Sequence, residues 1–120
     1  MVSVLIVEDE PFIRQSAEWM LEDNGHSILS AGDLGEALVH LTGPGPIDAL
    51  FVDMRLSVLP LGGYDVANQA VVLRPGLRVL YTSGTPLNPE MAARFVPGGA
   101  FIQKPYSAEQ LSASMERLLA

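Results

Sequence analysis

Three features of this sequence predict an α/β fold built on a five-stranded, mainly parallel sheet. Five short apolar runs rich in β-branched residues alternate with five segments of helical periodicity. The run Ala49-Leu50-Phe51-Val52 is apolar without alternation, as in a strand buried on both faces, and it runs straight into one carboxylate, Asp53. Gly, Pro and Asn punctuate most junctions between these segments. The 120 residues read as one domain, 1–120, with no internal repeat, low-complexity tract or linker.

The elements follow in order. Val2 to Val7 is the first strand and ends in Glu8-Asp9-Glu10. Pro11 suits the first turn of a helix, where its missing N–H is not needed. Ile13, Ala17, Met20 and Leu21 continue that helix at the right spacing, and Asn24-Gly25 stops it. Ser27 to Ala31 is the second strand. Asp33 caps a helix through Ala37, Leu38 and Leu41, and Gly43-Pro44-Gly45-Pro46 is a loop. Ile47 to Asp53 is the third strand. The segment from Met54 to Gly63 is longer than most strand-to-helix connections. A third helix covers Tyr64 to Leu73, and Pro75-Gly76 turns the chain. Leu77 to Tyr81 is the fourth strand, with Thr82-Ser83-Gly84-Thr85 at its exit. Asn88-Pro89-Glu90 opens a short helix to Phe95. Ala100 to Gln103 is the fifth strand, followed by Lys104-Pro105. Ser107-Ala108-Glu109-Gln110 is a capping box for a last helix with Leu111, Met115 and Leu118 facing inward.

Such alternation implies right-handed crossovers and helices on both faces of the sheet. The common five-stranded solution is the doubly wound, flavodoxin-like order 2-1-3-4-5, with its switch point between the first and third strands.

Composition narrows the function. A net charge of −7 argues against direct nucleic-acid binding and suits a divalent cation or a basic partner surface. No apolar run reaches the length of a membrane span, and the apolar N-terminus lacks the basic flank of a signal peptide. With no cysteine, disulfides and thiolate metal sites are excluded, and a cytoplasmic location is the default expectation.

If the first and third strands flank the switch point, Glu8, Asp9 and Asp53 converge in one crevice. Their mutual repulsion raises their pKa values unless a cation is bound. Hard carboxylate oxygens suit Mg²⁺. Ser83 and Lys104 leave the fourth and fifth strands at the same edge. A hydroxyl, an ammonium group and a metal ion around one carboxylate make a site for a phosphoryl group. An aspartate can itself be the nucleophile and form an acyl phosphate.

Val7-Glu8-Asp9-Glu10, Val52-Asp53-Met54-Arg55-Leu56, Tyr81-Thr82-Ser83-Gly84 and Phe101-Ile102-Gln103-Lys104-Pro105-Tyr106 together resemble the successive motifs of bacterial response-regulator receiver domains, in order and spacing. The resemblance covers essentially the whole chain. It implies that Asp53 accepts a phosphoryl group from a histidine kinase or histidine phosphotransfer protein. It implies that Glu8, Asp9 and Asp53 hold Mg²⁺ with the backbone carbonyl of Arg55. Ser83 is then the switch hydroxyl, Lys104 pairs with the phosphoryl group, and Phe101 is the switch aromatic. A cis Lys104–Pro105 peptide is expected, as is a protein target on the face formed by 86–95, 100–103 and 107–119. No membrane or direct nucleic-acid contact is implied, and the last helix and its neighbours could pair two copies. The chain then acts alone through protein contacts or as a piece of a larger regulator. It is a switch that assists its own phosphorylation and dephosphorylation, not a metabolic enzyme. Leu56-Ser57 departs from the Met-Pro of many receivers, and Phe101 has no hydroxyl to donate, so its switching works through packing.

Other classes fit less well. A Mg²⁺-dependent phosphatase with an aspartyl nucleophile needs a second acid two residues on, where this chain has Arg55. A flavin-binding relative needs a phosphate loop after the first strand, where Glu8-Asp9-Glu10 would repel it. A receiver-like module that binds partners without phosphorylation would not need the acidic set. His26 and His40 read as solvated, and Trp19 and Tyr64 as packing residues.

Overall fold

A computed structural model describes residues 2–56 and 62–120. Positions 57–61, the centre of the loop expected to be long, lie outside the described residues. The elements are β1 (Ser3–Val7), α1 (Pro11–Asp23), β2 (Ser27–Ala31), α2 (Leu34–Leu41), β3 (Ala49–Asp53), α3 (Gly62–Leu73), β4 (Arg78–Ser83), α4 (Pro89–Ala92), β5 (Ala100–Gln103) and α5 (Ala108–Leu119). All strand pairings are parallel and the order is β2-β1-β3-β4-β5, the doubly wound arrangement expected.

Local sequence sets most boundaries. The Glu10 carboxylate caps α1 by accepting from the backbone N–H groups of Phe12 and Ile13, and Pro11 follows. Gly25 ends that helix with a positive φ of 87°. Asp33 accepts from Glu36 N at 2.8 Å, Asn88 from Met91 N at 2.9 Å, and Ser107 completes its capping box with Gln110.

Some boundaries differ from the sequence reading. β4 runs from Arg78 to Ser83, so Thr82 and Ser83 belong to the strand and not to the loop beyond it. α3 begins at Gly62, two residues early. α4 ends at Ala92 because Arg94 N and Phe95 N bond three residues back, to Met91 O and Ala92 O, and the chain tightens into turns.

The sheet has two apolar faces. On one, Val4, Ile6, Ala49, Phe51, Leu80 and Ile102 pack against α1 and α5. On the other, Leu5, Val7, Leu50, Val52, Val79 and Tyr81 pack against α2, α3 and the segment after α4. β3 is buried at all five positions. Each fully buried Leu, Ile or Val contributes about 1.5–3 kcal/mol. A one-residue slip would exchange the faces of a strand and carry Asp53 to the wrong side. Trp19 does not pack as expected: it is 60% exposed, as is Phe12 at 78%, seven residues earlier on α1. His40 is not simply solvated either, since its Nε2 lies 2.9 Å from the carbonyl of Ser30.

The loop before β3 is held by one side chain. Arg74 donates through Nε to Leu41 O at 3.0 Å, and through its two terminal nitrogens to Gly45 O and Gly43 O, each at 2.9 Å. A planar guanidinium can serve three carbonyls at once. Arg74→Met should lower unfolding stability by about 1–3 kcal/mol in urea denaturation, with Arg74→Lys recovering only part of the loss.

Candidate functional site

The site is built at the carboxyl ends of the strands, where β1 and β3 lie side by side. Strand alternation puts Glu8, Asp53, Thr82 and Lys104 on the α1/α5 face. Each is two residues beyond an apolar position of that face: Ile6, Phe51, Leu80 and Ile102. Asp53 is the last residue of β3 and pairs in register with Thr82 on β4.

The acidic run divides its labour. Glu10 caps α1, as above. Glu8 is 4% exposed, and its Oε2 accepts from Glu10 N at 3.2 Å. Oxygen atoms of Glu8, Asp9 and Asp53 all lie within 4.8 Å of one another. Lys104 reaches across from the exit of β5: its Nζ is 2.6 Å from Glu8 Oε1 and 3.1 Å from Asp53 Oδ2. Arg55 N donates to Asp53 Oδ1 at 3.2 Å. Each carboxylate oxygen of Asp53 thereby has one partner at the crevice.

Burial pushes the Glu8 carboxyl up to about 7, with the neighbouring Asp53 charge adding to the rise and the Lys104 ammonium opposing it. Burial alone would lower Lys104, but its bonds to Glu8 and Asp53 outweigh it and raise the ammonium above its ordinary value. Tyr106 packs edge-on against Phe51, with ring centroids 5.7 Å apart. Its phenol is pushed up to about 12, chiefly by burial and then by the Glu8 and Asp53 charges.

All the predicted polar residues share one crevice of about 420 Å³: Glu8, Asp9, Asp53, Arg55, Ser83 and Lys104 line it. Ser83 Oγ accepts from Thr85 N at 3.1 Å, which leaves its own proton directed by rotation. The Lys104–Pro105 peptide is cis, as expected. Three carboxylates with hard oxygens, two of them buried, form a donor set that fits Mg²⁺. Phe101 lies apart from the crevice. It joins an aromatic layer in which Phe95 stacks on Tyr81 at 4.1 Å and 10°, with Phe101 6.4 Å from Phe95. Tyr64, buried as expected, closes that layer 5.9 Å from Tyr81.

A model of the response regulator receiver domain family matches residues 4–116. The chain belongs to the response-regulator receiver family. Among curated relatives, the nitrogen assimilation regulatory protein NtrX of Azorhizobium caulinodans is 34% identical over 118 residues, which is 97% of this chain and 26% of that protein. The response regulator MprA of Mycobacterium bovis is 31% identical over 119 residues, 98% of this chain and 50% of that one. This receiver thus spans a quarter to half the length of these relatives. A solved response regulator receiver protein from Sinorhizobium medicae superimposes with a TM-score of 0.87 at 28% identity, covering 98% of this chain and 94% of that one. A CheY-like receiver from Methanospirillum hungatei gives 0.85 at 25% identity, covering 99% and 94%. The protein is therefore a receiver domain of the two-component response-regulator class.

Three residues of the site escaped the sequence reading. Thr82 reads from sequence as lying at the exit of the fourth strand with no role, although continuing the β4 alternation past Leu80 places it beside Asp53. Tyr106 closes one of the family motifs but has no local cue to its packing on Phe51, because it follows a proline outside any strand. Gly63 was read as loop, but a Cβ there would lie 2.2 Å from Asp53 O and 2.6 Å from Met54 Cα. Only glycine lets α3 come this close to the end of β3. Gly63→Ala should cost about 1–3 kcal/mol of stability, with the largest amide shift changes at Asp53 and Met54 in a heteronuclear NMR spectrum.

The raised Tyr106 phenol favours folding while protonated. Its contribution is fully present below pH 10 and is lost as pH rises through about 12. Alkaline unfolding followed by circular dichroism should therefore be less steep between these values in Tyr106→Phe than in the unaltered receiver.

Proposed function

We propose that residues 1–120 form a single receiver domain that switches state when Asp53 is phosphorylated. What carries this reading is the Lys104 ammonium placed between the carboxylates of Glu8 and Asp53, with Asp9 alongside. One Asp53 oxygen attacks the phosphorus of a phosphohistidine on the kinase or phosphotransfer protein. A P–O bond forms, the P–N bond breaks, and the electron pair and a proton end on the imidazole. Mg²⁺, when bound, neutralises charge on the transferring group. Glu8, Asp9 and Asp53 would hold it, with the backbone carbonyl of Arg55.

The remaining residues orient and report. Lys104 exchanges its bond to Asp53 for one to a phosphoryl oxygen, and keeps Glu8. Ser83 turns its proton to a second phosphoryl oxygen. That motion is passed to Phe101 through the Tyr81–Phe95 layer by packing, since Phe101 has no hydroxyl. About two negative charges added to the crevice bias this bistable packing. The surface of 86–95, 100–103 and 107–119 then presents itself to a downstream protein or to a second copy. The receiver assists transfer and hydrolysis at its own Asp53 without turning over a metabolite.

A small-molecule phosphodonor with Mg²⁺ should give one phosphorylated species by intact mass spectrometry. Asp53→Ala should abolish it and chelation of Mg²⁺ should suppress it. Persistence of the species in Asp53→Ala, or steady turnover of a phosphomonoester by the unaltered chain, would overturn the reading.

A further inference from the structure

Glu8 and Asp53 also line a second, much smaller space, on the face of the sheet that carries Ile6 and Phe51. It offers about 10 Å³ to a water-sized body and is lined by Glu8, Asp53, Thr82 and Tyr106, with apolar walls from Phe51 and Ile13. That is room for one water and no more. Its wall includes Thr82, 3% exposed, whose hydroxyl has no hydrogen-bond partner among the described residues. Buried hydroxyls of this kind are nearly always satisfied. The polar groups around the space number four, within the two to four that a buried water requires.

We infer that this space is a structural water site, in which one water accepts from the Thr82 hydroxyl and donates to the carboxylates of Asp53 and Glu8. The chemistry decides the occupant. An ionised carboxylate is acceptor-only and a threonine hydroxyl has one proton to give. Thr82 alone can satisfy one carboxylate at most, whereas a water has two protons and can bridge both. A metal cation is excluded by its ligand needs, since the apolar remainder of the wall and the lack of room for further waters leave its coordination shell unfilled.

The consequence is for positioning. Oδ1 of Asp53 is held by Arg55 N and Oδ2 by Lys104 Nζ, both at the crevice side. Each oxygen has a second lone pair to offer toward the cavity, and a partner there adds a constraint on the carboxylate's tilt. A water anchored on Thr82, the register partner of Asp53 on the neighbouring strand, sets that tilt from the cavity side. Thr82 is thus a positioning residue: it acts on Asp53 through the water and touches no reacting atom. This second step rests on the reading of Asp53 as phosphoacceptor, while the water site itself does not.

The test compares the unaltered receiver with Thr82→Val, which keeps the shape, and Thr82→Ser, which keeps the hydroxyl. High-resolution crystal structures without metal should show an ordered water bonded to residue 82 and a carboxylate in the unaltered and Ser forms, and a dry space in Thr82→Val. Water relaxation dispersion in solution should count one long-lived water fewer in the Val form. Phosphorylation of Asp53 by a small-molecule donor with Mg²⁺ should slow about 10-fold in Thr82→Val and recover in Thr82→Ser. A dry space in the unaltered receiver, with the Thr82 hydroxyl bonded to a strand carbonyl, overturns the site. The water present but equal rates in all three forms overturns the positioning role. A receiver that is never phosphorylated overturns the function proposed above and the positioning role with it, and leaves the water to be judged from the density and the relaxation.

Discussion

Lys104 holds two carboxylates that would otherwise repel each other, and the arrangement of the whole strand edge follows from that contact. Glu8 and Asp53 come from neighbouring strands and are both almost fully buried. Two unpaired anions at this depth would be expensive, and one would take up a proton. A single ammonium placed 2.6 Å and 3.1 Å from them makes the juxtaposition tolerable. The same contact makes it changeable. The pair is not saturated, since one cation faces two anions with Asp9 close by, and the site retains a net negative charge. Hard carboxylate oxygens clustered in this way suit a divalent ion.

The two faces of the sheet serve that edge differently. The α1/α5 face carries Glu8, Asp53, Thr82 and Lys104, so every group that bonds a carboxylate through its side chain is supplied there by strand alternation. The opposite face carries the aromatic layer. Tyr81 is fully buried and its hydroxyl accepts from Val96 N at 3.0 Å, pinning the segment after α4 to the sheet. Phe95 is then stacked on Tyr81, and Phe101 follows it. Gly99 allows this, because a Cβ there would lie 2.9 Å from the Tyr81 ring. Ser83 is the last residue of the strand that carries both Thr82 and Tyr81. It is the point where the chemistry of one face meets the packing of the other.

How far this was legible depends on whether a feature is local. Caps, glycine stops and apolar runs act over a few residues, and Asp33, Asn88 and Ser107 each mark a helix start in the structure. The expected convergence of Glu8, Asp9, Asp53, Ser83 and Lys104 also appears, because a parallel sheet brings all strand ends to one edge. Trp19 is exposed against expectation because the size of an indole says nothing about which way its helix faces. Thr82 was missed because β4 was ended two residues short, and one more turn of the alternation would have revealed it.

The sequence by itself determined the strand and helix order, the acidic edge and the chemistry that edge can support, since these follow from periodicity, capping and residue type. Only the tertiary structure decided that Glu8 turns inward to Lys104. It also decided that α3 approaches Asp53 so closely that Gly63 can be nothing else, and that a threonine shares a small space with the carboxylates. Those outcomes depend on contacts between segments far apart in the chain, such as the 96 residues between Glu8 and Lys104. No local pattern encodes a distance across a sheet.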